Sequence, residues 1–446
     1  MAKNLDKSRL RKFYSPVHIT NLSNGLRVVT EESSSPLVCT SLFTKAGSRF
    51  ENENNNGIAY FVEHLAYQGF TSMSNYALQD AIRNGGSKMS AFTSRDHQVF
   101  SAVGLKESIK LNISLLAQII CQIDLSECMI ESQKQQLCFE AIENDNNSRL
   151  VLFDYLHQTA FQETPLAQTV MGLSRNFCRF DIRDICSYFY HNYRPHRMTL
   201  ATSGGVSHGA VVEYAENYFN VIKESDTKVI NFGPKRYTGS SIVYRNDALP
   251  VAHVAIAVEA PGYNSPEYLP LLLASCLNDS WERTQGGGDR HGSFLARAAS
   301  TSSLCEKFES FYIAYHDVGL WGVYFVGTND LDDMVYNIQK DWMNTCTSVQ
   351  KTDVDRASQL LKFKLAKNVE GVVKSSYDIG LQMMYTSSRR NLCQIYQDLS
   401  SITVERLRDV AFKYLYDKCP VVAAVGPTET LPDYNGIRSG MYWLRL

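Results

Sequence analysis

The sequence predicts an α+β protein of two homologous domains, each a mixed β-sheet with helices packed on one face, and three observations lead there. The order of apolar and amphipathic segments in the first half recurs in the second. Strand-length apolar stretches are joined both by tight turns and by pairs of long helical patterns, which is the signature of helices set against a sheet. The chain has 446 residues, 44% of them hydrophobic, more than the roughly 100 to 200 residues of a single domain.

The elements follow in order. Asn24-Gly25 is a hairpin signal between apolar stretches, and the segment 37–46 (LVCTSLFTKA) reads as a strand closing at Gly47. A helix-like apolar segment covers 58–67. Residues 99–105 (VFSAVGL) read as another strand, ahead of an amphipathic stretch at 106–123 and a second long helical pattern at 126–146. The opening returns about 215 residues later: 242–245 and 251–260 (VAHVAIAVEA) read as strands closing at Pro261-Gly262, with a helix-like segment at 268–277. A strand at 319–327 (GLWGVYFVG), an amphipathic stretch at 331–346 and a helical pattern at 353–369 complete the second copy. Identity between the halves is slight, so the repeat is one of pattern. The polar stretch around 224–239, rich in Lys, Asp, Pro and Gly, marks the boundary. We divide the chain into a basic tail 1–20, a first domain 21–225, a linker 226–239 and a second domain 240–446.

Composition narrows function by exclusion. Lys and Arg number 44 against 46 Asp and Glu, a net charge of −2 with no long block of one sign, so nothing draws the whole molecule to nucleic acid or anionic lipid. The longest apolar runs, 115–121 and 269–273, are far short of the roughly 18 to 20 residues of a membrane-spanning helix. Membrane association would run through partners. Eleven cysteines are scattered without one Cys-x-x-Cys, a usage that fits thiols in a reducing compartment and carries no haem-attachment or iron-sulfur spacing. Lys3, Lys7, Arg9, Arg11 and Lys12 stand against Asp6 alone in the first twelve residues. They read either as a short transit-type segment or as a solvated basic tail.

The chemically suggestive segment is 58–65, IAYFVEHL. On a helix Tyr60, Glu63 and His64 share a face, and Glu140, 76 residues after His64 in a second helical pattern, could complete a site around them. In the inverted zinc-peptidase motif His-x-x-Glu-His, two histidines and a distant glutamate bind the metal while the internal glutamate polarises water. Here the first histidine is Tyr60. A neutral phenol with a pKa of about 10 is a poor zinc ligand at neutral pH. Gln133, two turns before Glu140 on the same face, is an amide that neither acts as a base nor offsets the charge of zinc. The cluster reads as a remnant metal site or as a buried hydrogen-bonded group that packs the wall.

The segments 55–69 (NNGIAYFVEHLAYQG), 139–146 (FEAIENDN) and 153–170 (FDYLHQTAFQETPLAQTV) resemble the pitrilysin-type metallopeptidase family, in the branch of processing-peptidase beta and Core I proteins. The stretches 427–446 (PTETLPDYNGIRSGMYWLRL), 244–262 (YRNDALPVAHVAIAVEAPG), 315–322 (YHDVGLWG) and Gly286-Gly287-Gly288 are similar to the Core I side of that branch. The resemblance runs from about residue 21 to the last. It implies two homologous domains enclosing a cavity and pairing with a Core II-like subunit. In active members the positions of Tyr60, His64 and Glu140 would hold zinc and that of Glu63 the catalytic base. Here these are vestigial, with Glu63 and Tyr315 as former catalytic positions, no metal and no cofactor. The departure at Gln133, where relatives usually have Glu, weighs against residual peptidase work.

Five further features stand out. Gly286-Gly287-Gly288 is not followed by Gly-Lys-Ser/Thr and precedes Asp289, which would repel an anion, so it reads as a mobile surface or contact loop rather than a phosphate cradle. Tyr315 lies in a segment that positions peptide in active relatives, and without zinc it reads as a core or cavity-lining aromatic. Ser90, Phe92 and Ser94 sit where the family's edge strand would pair with a peptide. His191, His196 and Arg197 read as a basic turn, because Pro195 breaks the helical register. The apolar end 442–446 (YWLRL) suits docking onto a neighbour, with Arg438 and Arg445 near acidic groups or lipid headgroups.

The first functional reading is a non-catalytic structural core subunit of mitochondrial complex III, on the matrix side of the inner membrane. The resemblance implies as partners a Core II-like subunit, cytochrome b, cytochrome c1 and the Rieske subunit, with a presequence peptide possible in the cavity. The alternative is a beta-type processing peptidase, a zinc endopeptidase that cleaves presequences. A third is a diverged paralogue of Core I.

Overall fold

The computed structural model of the protein describes residues 16–222 and 230–442. The basic cluster within residues 3–12, the first part of the expected linker and Arg445 with the end of the tail lie outside the described residues.

Twelve strands form two six-stranded mixed sheets among the described residues. The first contains β1 (Val17–Asn21), β2 (Arg27–Glu32), β3 (Leu37–Thr44), β4 (Lys88–Thr93), β5 (Gln98–Leu105) and β6 (Met198–Gly204), in the order β1-β2-β6-β3-β5-β4. The second contains β7 (Ser241–Arg245), β8 (Ala252–Pro261), β9 (Ser280–Glu282), β10 (Lys307–Ala314), β11 (Val318–Gly327) and β12 (Val421–Gly426), in the order β7-β12-β8-β11-β10-β9. The pairing β2 to β6 is parallel, as is β7 to β12, and the remaining ladders are antiparallel. Five strands in one order and sense are therefore common to both sheets, and the repeat of pattern seen in the sequence is a repeat of topology. β1 and β9 are additions at opposite ends of that shared order.

The expected elements form where the periodicity placed them. Asn24-Gly25 turns β1 into β2: Gly25 takes φ +92°, and the Asn24 side chain donates to the Phe219 carbonyl at 2.9 Å. The amphipathic stretches become the helices Ile109–Cys121, Glu127–Asp145, Leu331–Thr347 and Lys351–Asn368. Two other helices start under capping side chains. Helix Ile182–Asn192 begins in a reciprocal capping box of Asp181 and Asp184, and helix Val404–Leu415 under the Thr403 side chain.

The compact units do not follow the halves of the chain throughout. One comprises Met1–Ile142, Gln168–Gly233 and Ala366–Cys393; the other comprises Glu143–Ala167, Pro234–Leu365 and Gln394–Leu446. Each sheet thus has, besides the helices on the expected face, one helix on its opposite face that comes from the other half of the sequence. Helix Val372–Thr386 lies on β3 and β6 of the first sheet, where Ser376 donates to Ser41 Oγ and to the Ala201 carbonyl, both at 3.0 Å. Gly380 lets it approach Phe43 so closely that a Cβ would meet the ring at 1.9 Å. Helix Ser148–Ala160 lies on β8 and β12 of the second sheet, burying Leu152 and Leu156 against Ala255, Ala257, Val421 and Ala423. Odd and even residues of β8 and β12 consequently enter two separate cores, with Val254, Ile256 and Val422 joining Trp321 and Trp342 on the other side. Strands buried on both faces explain the near-continuous apolar runs of β8 and β11.

Candidate functional site

The motif forms the helix Ile58–Leu65, whose Ile58, Ala59, Phe61, Val62 and Leu65 are fully buried. The remaining stripe, Tyr60, Glu63 and His64, is half-buried and faces the helix Glu127–Asp145. The helix start lacks its own capping side chain. Gly57 takes φ +101°, and a Cβ there would meet the Met171 carbonyl at 2.5 Å, so the backbone itself fills the N-cap position. Glu51 substitutes for the cap. Its carboxylate accepts from the Gly57 and Ala59 amides at 2.8 and 2.7 Å and from Asn56 Nδ2 at 2.9 Å. Complete burial pushes this carboxyl up to about 7 in spite of those three donors.

Three sequence-predicted residues come together as one closed group. The Tyr60 hydroxyl donates to Glu140 Oε1 at 2.6 Å, His64 Nε2 lies 3.2 Å from Glu140 Oε2, and the Tyr60 and His64 rings are 4.8 Å apart. Burial, with Glu140 adding to it, holds the Tyr60 phenol well above its ordinary range. Burial lowers His64, against the pull of Glu140. A cation at this place would need lone pairs from all three side chains. The phenol offers a proton instead, and both oxygens of Glu140 are already engaged. The residues present do not fit zinc, and among the described residues no group of three His, Cys, Asp or Glu is placed to hold a metal ion.

Glu63 stands apart from this triad. Its Oε2 is buried without a partner, and burial raises its carboxyl, partly offset by Thr93 and reinforced by Glu140. Gln133 is also buried, with its Oε1 unpartnered. Gln133, as an amide, has no basic group to offer.

The other candidates fall in separate places. Tyr315 belongs to the second unit, in the turn between β10 and β11, and is 7% exposed with its hydroxyl 2.7 Å from His157 Nε2. Ser90 and Phe92 lie on β4, an edge strand of the first sheet, while Ser94 lies just past it, in the turn to β5. Phe92 is exposed, and Tyr67 donates to the Ser90 carbonyl at 3.0 Å. Gly286 and Gly287 are exposed at positive φ, whereas Gly288 is buried against Ser300. His191 lies in the last turn of one helix, and Arg197 donates to its carbonyl at 3.1 Å and lies 4.6 Å over the Phe50 ring. Arg438 donates to Asp417 Oδ1 at 2.7 Å.

Sequence reasoning missed the residues that hold the motif helix. Besides Glu51, Gln98 donates to the Ala59 carbonyl at 2.6 Å and to Thr93 Oγ1 at 2.9 Å, and Tyr193 donates to Gln98 Oε1. No spacing rule links Gln98 to Ala59 or to Tyr193, 39 and 95 residues away. The one available signal was Gln98 itself, a polar residue opening an apolar strand.

Comparisons with known proteins place this geometry in context. The family model described as Insulinase (Peptidase family M16) matches residues 27–174, and that described as Peptidase M16 inactive domain matches residues 179–361. The chain is 39% identical over 430 residues to cytochrome b-c1 complex subunit 1, mitochondrial, of Bos taurus, covering 96% of this chain and 90% of that protein. It is also 39% identical over 428 residues to the mitochondrial-processing peptidase subunit beta of Bos taurus, covering 96% and 87%. In structure it is similar to a chain of complex III2 from Candida albicans, Inz-5 bound, with a TM-score of 0.86 and 22% identity over 96% of this chain and 100% of that one. That likeness is one of fold.

Proposed function

The chain belongs to peptidase family M16, and from that footing we propose that it serves as a non-catalytic core subunit of mitochondrial respiratory complex III. Identity alone does not separate the two kinds of relative, since both stand at 39%. The observation that carries the reading is the bond from the Tyr60 hydroxyl to Glu140 at 2.6 Å. It puts a proton where a peptidase would need a metal-binding lone pair, and it engages the glutamate that would be the third ligand.

As a core subunit the chain is peripheral, on the matrix side of the inner membrane, with a Core II-like subunit, cytochrome b, cytochrome c1 and the Rieske subunit as its partners. No helix among the described residues is long and apolar enough to cross a membrane, so attachment through partners is consistent with its build. Its contribution is assembly and stability, and the electron-transfer groups belong to the other subunits.

The test is a reduced-minus-oxidised haem spectrum of the assembly recovered through a tagged copy of the chain from gently solubilised mitochondria. Haems b and c in fixed ratio to the chain are the expected result. A haem-free preparation holding one peptidase-like partner, bound zinc and presequence cleavage would replace this reading with the beta-type processing peptidase.

A further inference from the structure

The second unit contains a small polar cavity that plays no part in the site above. The helices Leu331–Thr347 and Lys351–Asn368 and the start of helix Phe294–Thr301 contribute its walls, and its volume is about 190 Å³. That is below the roughly 300 Å³ at which drug-sized pockets begin, so an occupant must be small. Leu277 and Val349 make part of the lining apolar, while Asp341, Asp353, Arg297 and Arg356 bring two charges of each sign.

Two lining residues carry atoms left without partners. Asp341 is 8% exposed, and its Oδ2 is buried with no hydrogen bond. Arg356 is anchored elsewhere on its guanidinium: Nη2 donates to the Leu277 carbonyl at 3.2 Å and Nη1 lies 3.9 Å from Asp279 Oδ2. Its Nε–H is buried and unused. Gly292 makes room for this arrangement, because a Cβ there would sit 2.6 Å from Arg356 Cδ. Arg297 is held by the carbonyls of His291 and Gly292 at 2.9 and 3.3 Å. A buried charged atom without a partner is costly, and the two orphans are of opposite sense. One requires a donor and the other an acceptor.

We propose that this cavity binds a small zwitterion, an amino acid or a molecule of the same chemistry, whose ammonium group donates to Asp341 Oδ2 and whose carboxylate accepts from Arg356 Nε. The balanced wall charges favour a ligand that carries both signs over one that carries either alone, and Leu277 and Val349 accommodate the methylenes between them. Burial first, then Asp353, raises the Asp341 carboxyl to about 7, against the pull of Arg356 and Arg297. An ammonium partner would return it to the ionised form.

The probes are glycine, β-alanine and 4-aminobutyrate, which separate the two charges progressively, with acetate and methylammonium as single-charge controls. Calorimetric titration of the full chain is expected to show at least one of the three binding at one site, about tenfold or more tighter than either control. Asp341→Asn and Arg356→Gln should each weaken that binding by about tenfold or more. Hydrogen exchange of the helix Leu331–Thr347 in the unsubstituted chain gives a second readout that does not depend on a variant folding. Protection by the bound amino acid and not by acetate supports the site. Equal response to all probes, or binding that survives both substitutions, overturns the proposal and leaves a cavity filled by water only.

Discussion

Two helices occupy the same place in the shared topology and differ completely in chemistry. Helix Ile58–Leu65 follows β3 in the first unit and presents Tyr60, Glu63 and His64 from a half-buried stripe. Helix Tyr268–Asn278 follows β8 in the second and buries nearly its whole length, Leu271, Leu273, Ala274 and Cys276 included. One backbone position therefore serves as a polar wall in one copy and as pure core in the other. The lesson is that the fold does not require the motif. A tyrosine in place of a ligand leaves the architecture intact because its hydroxyl bonds to the partner that a metal would otherwise neutralise.

The largest test of this comparison asks whether the two units really rest on equivalent supports. Leu156→Ala, in the helix on the back of the second sheet, should cost about 2 to 5 kcal/mol by opening a cavity. Gly380→Leu, in the matching helix on the first sheet, should cost about 3 kcal/mol by driving Phe43 aside. Denaturant unfolding of the full chain measures both. A near-neutral result at either position would mean that only one sheet depends on its exchanged helix.

The borrowed cap sharpens the contrast, since helix Tyr268–Asn278 has no counterpart to Glu51. The folded Glu51 carboxyl at about 7 lies above its ordinary value of 4.5, so the folded state binds the proton more tightly. Its contribution to stability is then fully present below pH 4.5 and is lost as pH rises through about 7, by about 3 kcal/mol in all. Glu51→Gln removes that titration. The stability difference between the two proteins should change by this amount between pH 4.5 and 8, and a difference independent of pH would show that Glu51 is not the group responsible.

Tyr60 gives the smaller effects on stability. Tyr60→Phe should cost about 1 kcal/mol, because Glu140 is partly open to water and can recover one hydrogen bond there. Tyr60→His should change stability little without metal and should raise zinc content from a trace to about one per chain, read by elemental analysis of dialysed protein. Failure to take up zinc would place the block elsewhere, with Gln133 as the next position to restore.

Much of the architecture was legible in order. Apolar alternation and helical periodicity are local, and each expected strand and helix lies within a few residues of its place. The polar face of the motif helix was legible too, because i, i+3 and i+4 share a face whatever surrounds them. The closure of Tyr60, His64 and Glu140 was readable only as a possibility. It depends on the helix Glu127–Asp145 being turned so that Glu140 meets Tyr60, which is set by Ile130 and Leu137 packing into the first core.

The sequence by itself determined the repeat, several strands of each sheet and the tyrosine at position 60 where the motif has a histidine, since these follow from residue identity and spacing along the chain. Only the tertiary structure decided that residues 148–160 and 372–386 each cover the sheet built mainly from the other half. An apolar stripe states that a helix must be buried and does not state against which surface. Gln98 and Gly380 were hidden for the same reason. Each acts through a partner distant in sequence, and such contacts exist only once packing has brought the two together.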